Sequence, residues 1–247
     1  MVVTGIPDSD GRKVEVIDLD NLSKTCIMSS DFPYDLDGAV GGFTSSGPIV
    51  CGGWIRPNPR PTPKRRSRDC YILRRGQFVK IDDLTMNTQR NDASSIVTAD
   101  GNLMIFGGYY YDYGDDRAVV LSDTKIINVS ESKIEDGFEL PSGIKNHCSV
   151  LINATTAMVL GGYKGSTFSH QHSRDTKSTY FINLETSQVT NGPDMQDTRS
   201  KFGCEVFEHN NQRFVVAIGG YVPGGDFTEF LNLDAAILNW SRGKTYF

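Results

Sequence analysis

Four apolar runs in this chain each end in a pair of glycines. They are Pro48-Ile49-Val50-Cys51-Gly52-Gly53, Leu103-Met104-Ile105-Phe106-Gly107-Gly108, Met158-Val159-Leu160-Gly161-Gly162 and Val215-Val216-Ala217-Ile218-Gly219-Gly220. The first glycines are 55, 54 and 58 residues apart. Self-similarity at that length means that one supersecondary unit is repeated. Val2-Val3-Thr4-Gly5 is a degenerate fifth copy.

Within a unit the order of signals is constant. In the copy around Gly161, Cys148–Ile152 reads as a strand, Asn153–Thr156 as a turn, and Ala157–Leu160 as a second strand ending at the glycines. A polar loop follows, then Ser178–Ile182, a turn at Glu185-Thr186-Ser187, and Val189-Thr190. That is four short strands between turn residues. No segment sustains an apolar stripe at helical spacing, so almost no helix is expected.

Units of four strands at this spacing resemble the kelch family of β-propellers, over essentially the whole chain. The resemblance rests on the glycine pairs and on a seven-residue step between the third and fourth strands. That step appears as Ile127 to Ile134, Ile182 to Val189 and Leu233 to Trp240, and is one shorter from Ile72 to Phe78. Trp240 is the one tryptophan at the place the family has it. The resemblance implies an all-β propeller of about five four-stranded blades: 1–27 (lacking its first strand), 38–85, 92–141, 146–195 and 200–247. Met1–Gly5 reads as a strand end rather than a signal peptide. The expectation is therefore a fragment of a six- or seven-bladed domain. Gly52, Gly53, Gly107, Gly108, Gly161, Gly162, Gly219 and Gly220 are expected to be structural: they let the strand leave the sheet abruptly and pack against a neighbouring blade.

Five cysteines lack CxxC spacing, which argues against zinc. In the propeller frame Cys51 ends a second strand and Cys70 begins the third, so the two face each other and can bridge. Cys148 and Cys204 stand at equivalent first-strand positions and are expected to be buried thiols. The Cys51–Cys70 pair resembles that of cysteine-bearing invertebrate kelch-like proteins that look secreted. Four glycosylation tripeptides, starting at Asn21, Asn128, Asn153 and Asn239, point the same way. An extracellular location is slightly favoured if the N-terminus is truncated, and the cytoplasm otherwise.

Function should lie in the loops after the second strands, which vary most. The loop 54–68 carries six positive charges, four prolines and no acid, with Trp54, Arg56, Arg60 and Arg65 as contact candidates. It reads as a basic prong for an acidic partner or an anionic glycan, or as a plain solvated loop. Tyr109, Tyr110, Tyr111, Asp112 and Tyr113 form an aromatic, acidic counterpart suited to protein contact, and the two loops could also pair with each other. His170 and His172 have metal-binding spacing but no third ligand in view, so no metal is assigned. The net charge of -5 argues against bulk nucleic-acid binding. No stretch approaches the ~20 apolar residues of a membrane helix.

The expected function is a non-catalytic scaffold that binds a protein partner through one propeller face, with no cofactor. A substrate-recognition part of a cullin-type ubiquitin ligase adaptor is the alternative, although the BTB and BACK domains of such adaptors are absent from the sequence. A galactose-oxidase-like copper enzyme is a weaker alternative, because no matching histidine set is found among His147, His170, His172 and His209. A glycan-binding protein is likewise a weaker one.

Overall fold

The computed structural model describes residues 2–4, 12–16, 21, 27–28, 30–56, 65–165, 175–223 and 228–243. Every regular element among them is a β-strand, and all strand pairing is antiparallel. Four four-stranded sheets carry the repeat. Sheet I is Val40–Thr44, Gly47–Cys51, Asp69–Arg74 and Gln77–Thr85. Sheet II is Ser94–Val97, Leu103–Phe106, Asp123–Asn128 and Lys133–Glu139. Sheet III is Cys148–Asn153, Thr156–Leu160, Thr179–Asn183 and Val189–Asn191. Sheet IV is Gly203–His209, Gln212–Ile218, Glu229–Asn232 and Trp240–Arg242. In each, chain neighbours are sheet neighbours, a simple meander.

The residue pattern explains the layering. Leu103–Phe106 is buried along its whole length, as a strand covered on both faces must be. Lys133–Glu139 is largely exposed and polar, as an outer strand can be. Ile127 opposes Ile134 and Ile182 opposes Val189 directly, which accounts for the seven-residue step. In sheet IV the step differs: Trp240 opposes Leu231 rather than Leu233, because residues 233–239 form a longer turn.

Apolar layers fill the gaps between consecutive sheets. Ile49 and Ile72 of sheet I meet Leu103, Ile105 and Ile127 of sheet II. Phe106 of sheet II meets Ala157, Val159 and Ile182 of sheet III. Met158 and Leu160 of sheet III meet Val215, Leu231 and Trp240 of sheet IV. Each such Ile, Leu or Val side chain stabilises the fold by about 1.5–3 kcal/mol when fully buried. The outer face of sheet I packs on Val14, Phe32, Leu36 and Ile55.

Successive sheets are held in register by one repeated contact. Asp92 N–H donates to Gly38 O (2.9 Å), Asn146 N–H to Asp92 O (2.7 Å), and Lys201 N–H to Asn146 O (2.9 Å). The four residues precede the first strands of sheets I to IV. All have positive φ, 65° at Gly38, 50° at Asp92, 53° at Asn146 and 54° at Lys201. Glycine, Asp and Asn tolerate that conformation, and Lys201 adopts it because the bond chain holds it there. First strands therefore lie nearest one another, and Ser95 Oγ donates to Gly41 O across sheets I and II.

That arrangement corrects the reading of two cysteines. Cys148 and Cys204 are not free thiols; they form a disulfide with Cα atoms 6.0 Å apart. Equivalent residues of adjacent first strands meet across the sheet boundary, within the usual bridging range. Cys51 and Cys70 are bridged as well, directly opposite each other within sheet I.

Candidate binding face

The glycine pairs set the site. A Cβ on Gly52 would stand 2.5 Å from Arg90 O, and one on Gly161 2.7 Å from Arg199 O. The next repeat's backbone occupies the space a side chain would need, and Gly53 N–H and Gly162 N–H donate to those same carbonyls. The strand then turns away and its next residue is aromatic in every repeat: Trp54, Tyr109, Tyr163 and Tyr221. Each pairs with the residue just before the hydrogen-bonded chain: Asp37 with Trp54, Asn91 with Tyr109, Lys145 with Tyr163, and Ser200 with Tyr221. The repeat thus gathers its aromatics at one end of the sheets.

Two buried arginines brace this end. Arg90 Nη1 donates to Gly107 O (2.5 Å) and its Nη2 to Asp123 Oδ2 (2.7 Å). Arg199 Nη1 donates to Gly219 O (2.7 Å), and its Nη2 pairs with Glu229 Oε1 (3.3 Å), both side chains being fully buried.

Above the brace, Tyr109–Asp112 and Arg117–Val120 form a hairpin that projects beyond sheet II. Asp112 Oδ1 accepts from Gly114 N–H at its tip (2.9 Å). Tyr111 donates to Asp116 (2.5 Å), which raises the phenol's pKa. Beside it, Asp35–Asp37, Trp54–Arg56 and Arg65–Arg66 make a three-stranded extension of sheet I's loops. Arg66 joins the two. Its guanidinium lies 3.8 Å from the Trp54 ring centre, 5.3 Å from Tyr111, 5.7 Å from Tyr109 and 5.9 Å from Tyr113, and donates to Tyr113 Oη (3.2 Å). Lys145 continues the row, 4.6 Å from Tyr109 and 5.1 Å from Tyr163. Lys164 sits 5.1 Å from Tyr180 and donates to its hydroxyl. Cations and rings alternate across three sheets, each contact contributing about 0.5–2 kcal/mol as burial increases.

Charges underneath are tuned by burial. Burial pushes Asp92 above the usual carboxylate range and Lys145 below the usual ammonium range, while their mutual attraction opposes both shifts. His147 is buried with neither ring nitrogen hydrogen-bonded, and desolvation lowers its pKa to about 3. It is neutral at physiological pH.

Of the residues singled out by sequence, Trp54, Tyr109, Tyr111 and Tyr113 converge on Arg66. Tyr110 is half-buried in the same hairpin, Asp112 shapes its turn, Arg56 is half-buried and Arg65 exposed. Tyr113 is the most open, at 73% exposure. Arg60, His170 and His172 lie outside the described residues. Arg66, Lys145, Tyr163 and Lys164 were not singled out, although the aromatic after each glycine pair is visible in the sequence. Among the described residues, no three of His, Cys, Asp and Glu are gathered to hold a metal ion, and no helix is long and apolar enough to cross a membrane.

No family model and no curated protein matches this chain. Among solved structures, that of YjhT is similar, with a TM-score of 0.57 and 14% sequence identity over 87% of this chain. The chain spans 66% of that structure's length. The likeness is one of fold.

Proposed function

We propose that the chain is a kelch-type β-propeller, or the larger part of one, that serves as a non-catalytic scaffold for a protein partner. Meander sheets joined through their first strands by a repeated backbone hydrogen bond support the propeller reading. The observation that carries the binding reading is the ridge around Arg66: an ordered hairpin with an exposed tyrosine at its tip, locked onto a neighbouring loop by a shared guanidinium. Such a ridge presents aromatic and cationic area with its rotamer entropy already lost, which is what contact residues need. The disulfides favour a secreted scaffold over a cytosolic ligase adaptor.

The test compares capture from extracellular fluid of the source by the wild type and by Tyr113→Ala/Arg66→Ala. A partner held by the wild type and lost by a variant of unchanged melting temperature supports the assignment. A partner held equally by both removes it from this ridge.

A further inference from the structure

Three of the four glycosylation tripeptides fall within the sheets: Asn128-Val129-Ser130, Asn153-Ala154-Thr155 and Asn239-Trp240-Ser241. In a meander the first–second and third–fourth turns project from the same end, opposite the loops after the second strands. Asn153 ends the first strand of sheet III, Asn128 ends the third strand of sheet II, and Asn239 closes the third–fourth turn of sheet IV.

The sheets share that polarity. Ser45 N–H donates to Gly101 O, joining the first–second turns of sheets I and II. A groove of about 250 Å³ is walled by Asp100 and Asn102 of sheet II and by Ala154, Thr155 and Glu185 of sheet III. The disulfide between Cys148 and Cys204 links the starts of two first strands. All three asparagines therefore stand at one end of the molecule. The loops at the aromatic end contain no Asn-x-Ser/Thr tripeptide at all.

The local geometry suits modification. Asn153 Oδ1 accepts from Thr155 N–H (3.0 Å) and Thr155 Oγ1 (3.2 Å), and the side chain is exposed. Asn128 Oδ1 accepts from Ser130 Oγ (2.7 Å) and Glu131 N–H (3.0 Å). The turns use the amide oxygen in both cases, so a substituent on Nδ2 leaves these bonds intact. Asn239 is exposed. Two disulfides fit an oxidising compartment, the kind in which sugar transfer to such tripeptides takes place.

We propose that Asn128, Asn153 and Asn239 carry N-linked glycans, which clothe the turn end and leave the aromatic end bare. The donor is a lipid-pyrophosphate-linked oligosaccharide, acted on by a transferase. Asn Nδ2 bonds to the anomeric carbon, that carbon's bond to the pyrophosphate oxygen breaks, the lipid pyrophosphate leaves, and one amide proton passes to a base. The proposal does not depend on what the ridge around Arg66 binds.

The experiment uses protein from its natural source, digested without reduction and treated with peptide N-glycosidase in heavy-oxygen water. Wherever a glycan stood, the asparagine returns as labelled aspartate. Label is expected at positions 128, 153 and 239, with both disulfides present. Thr155→Ala, which keeps the asparagine, should lose the label at 153 alone. An unlabelled Asn153 in protein with both bridges formed overturns the proposal while leaving the binding reading standing. Glycan removal from the folded protein should leave partner capture unchanged; loss of capture overturns the division of the molecule into a clothed and a bare end.

Discussion

The same glycine turn rests on two different chemistries. In sheets II and IV the residue beneath it is a buried arginine, Arg90 or Arg199, each with an acidic partner. In sheets I and III the residue at the same position of the repeat is aliphatic, Leu36 or Ile144, and is buried too. The first glycine keeps positive φ in all four, and in sheets I to III a carbonyl of the next repeat docks against it. What the underlying side chain changes is the penalty for damage. An aliphatic plug can shrink with modest loss, whereas one half of a buried ion pair cannot be removed without stranding the other.

The largest difference should therefore separate sheet IV from sheet III. Glu229→Ala strands Arg199 and also leaves Gln196 N–H without its acceptor; it should cost about 3–5 kcal/mol in urea unfolding. Ile144→Val should cost about 0.5–1.5 kcal/mol. Equal losses would show that the pair is not a brace. Arg199→Met together with Glu229→Leu should recover the part lost to the stranded charge, but not the part due to Gln196 N–H.

The covalent ties come next. Replacing Cys148 and Cys204 by Ala, which opens a loop of separation 56, should cost about 4 kcal/mol, against about 3 kcal/mol for Cys51 and Cys70 at separation 19. A larger loss from the second pair would point to native packing rather than chain entropy.

Glycine substitutions sharpen the comparison between internal and terminal turns. Gly161→Ala meets a carbonyl, whereas a Cβ on Gly219 meets nothing within 4 Å. Gly219→Ala should cost only its backbone strain, about 1–2 kcal/mol, and Gly161→Ala distinctly more. Equal midpoints for the two variants would sink the carbonyl-contact argument.

The remaining effect is pH-dependent. His147 takes the place that Ala39, Ala93 and Phe202 hold in the other sheets. Its folded pKa of about 3 lies below the ordinary 6.5, so the unfolded chain binds the proton first. Its contribution is present above pH 6.5 and is lost as pH falls toward 3, about 2 kcal/mol of it by pH 5. Asp92, shifted upward by burial, acts in the opposite sense: over its shifted range, protonation favours the fold. His147→Phe should flatten the loss that wild type shows between pH 7 and pH 5; an unchanged slope would exonerate the histidine.

Strands were legible because their signals are local. The apolar run, the glycine pair and the turn residues recur from unit to unit, and the strands Cys148–Asn153, Thr156–Leu160, Thr179–Asn183 and Val189–Asn191 form where their pattern implies. Contacts between repeats were not. Cys148 and Cys204 are 56 residues apart and meet because two sheets align, which no window of sequence displays. Arg90 and Arg199 look like surface residues until their acceptors, supplied by distant loops, are in place. Tyr109–Tyr113 stood out by composition, yet the cation that organises them, Arg66, sits in the middle of a basic run where nothing distinguishes it from its neighbours.

The Cys148–Cys204 bridge has a mechanical meaning. When the chain is stretched from outside, tension passes through the sulfur atoms and bypasses everything between them. About 190 Å of extended backbone is thereby withheld from the pull. Sheet III and the entry to sheet IV stay slack under a load that unravels sheets I and II, so the joint between the third and fourth repeats yields only when its covalent bond is reduced.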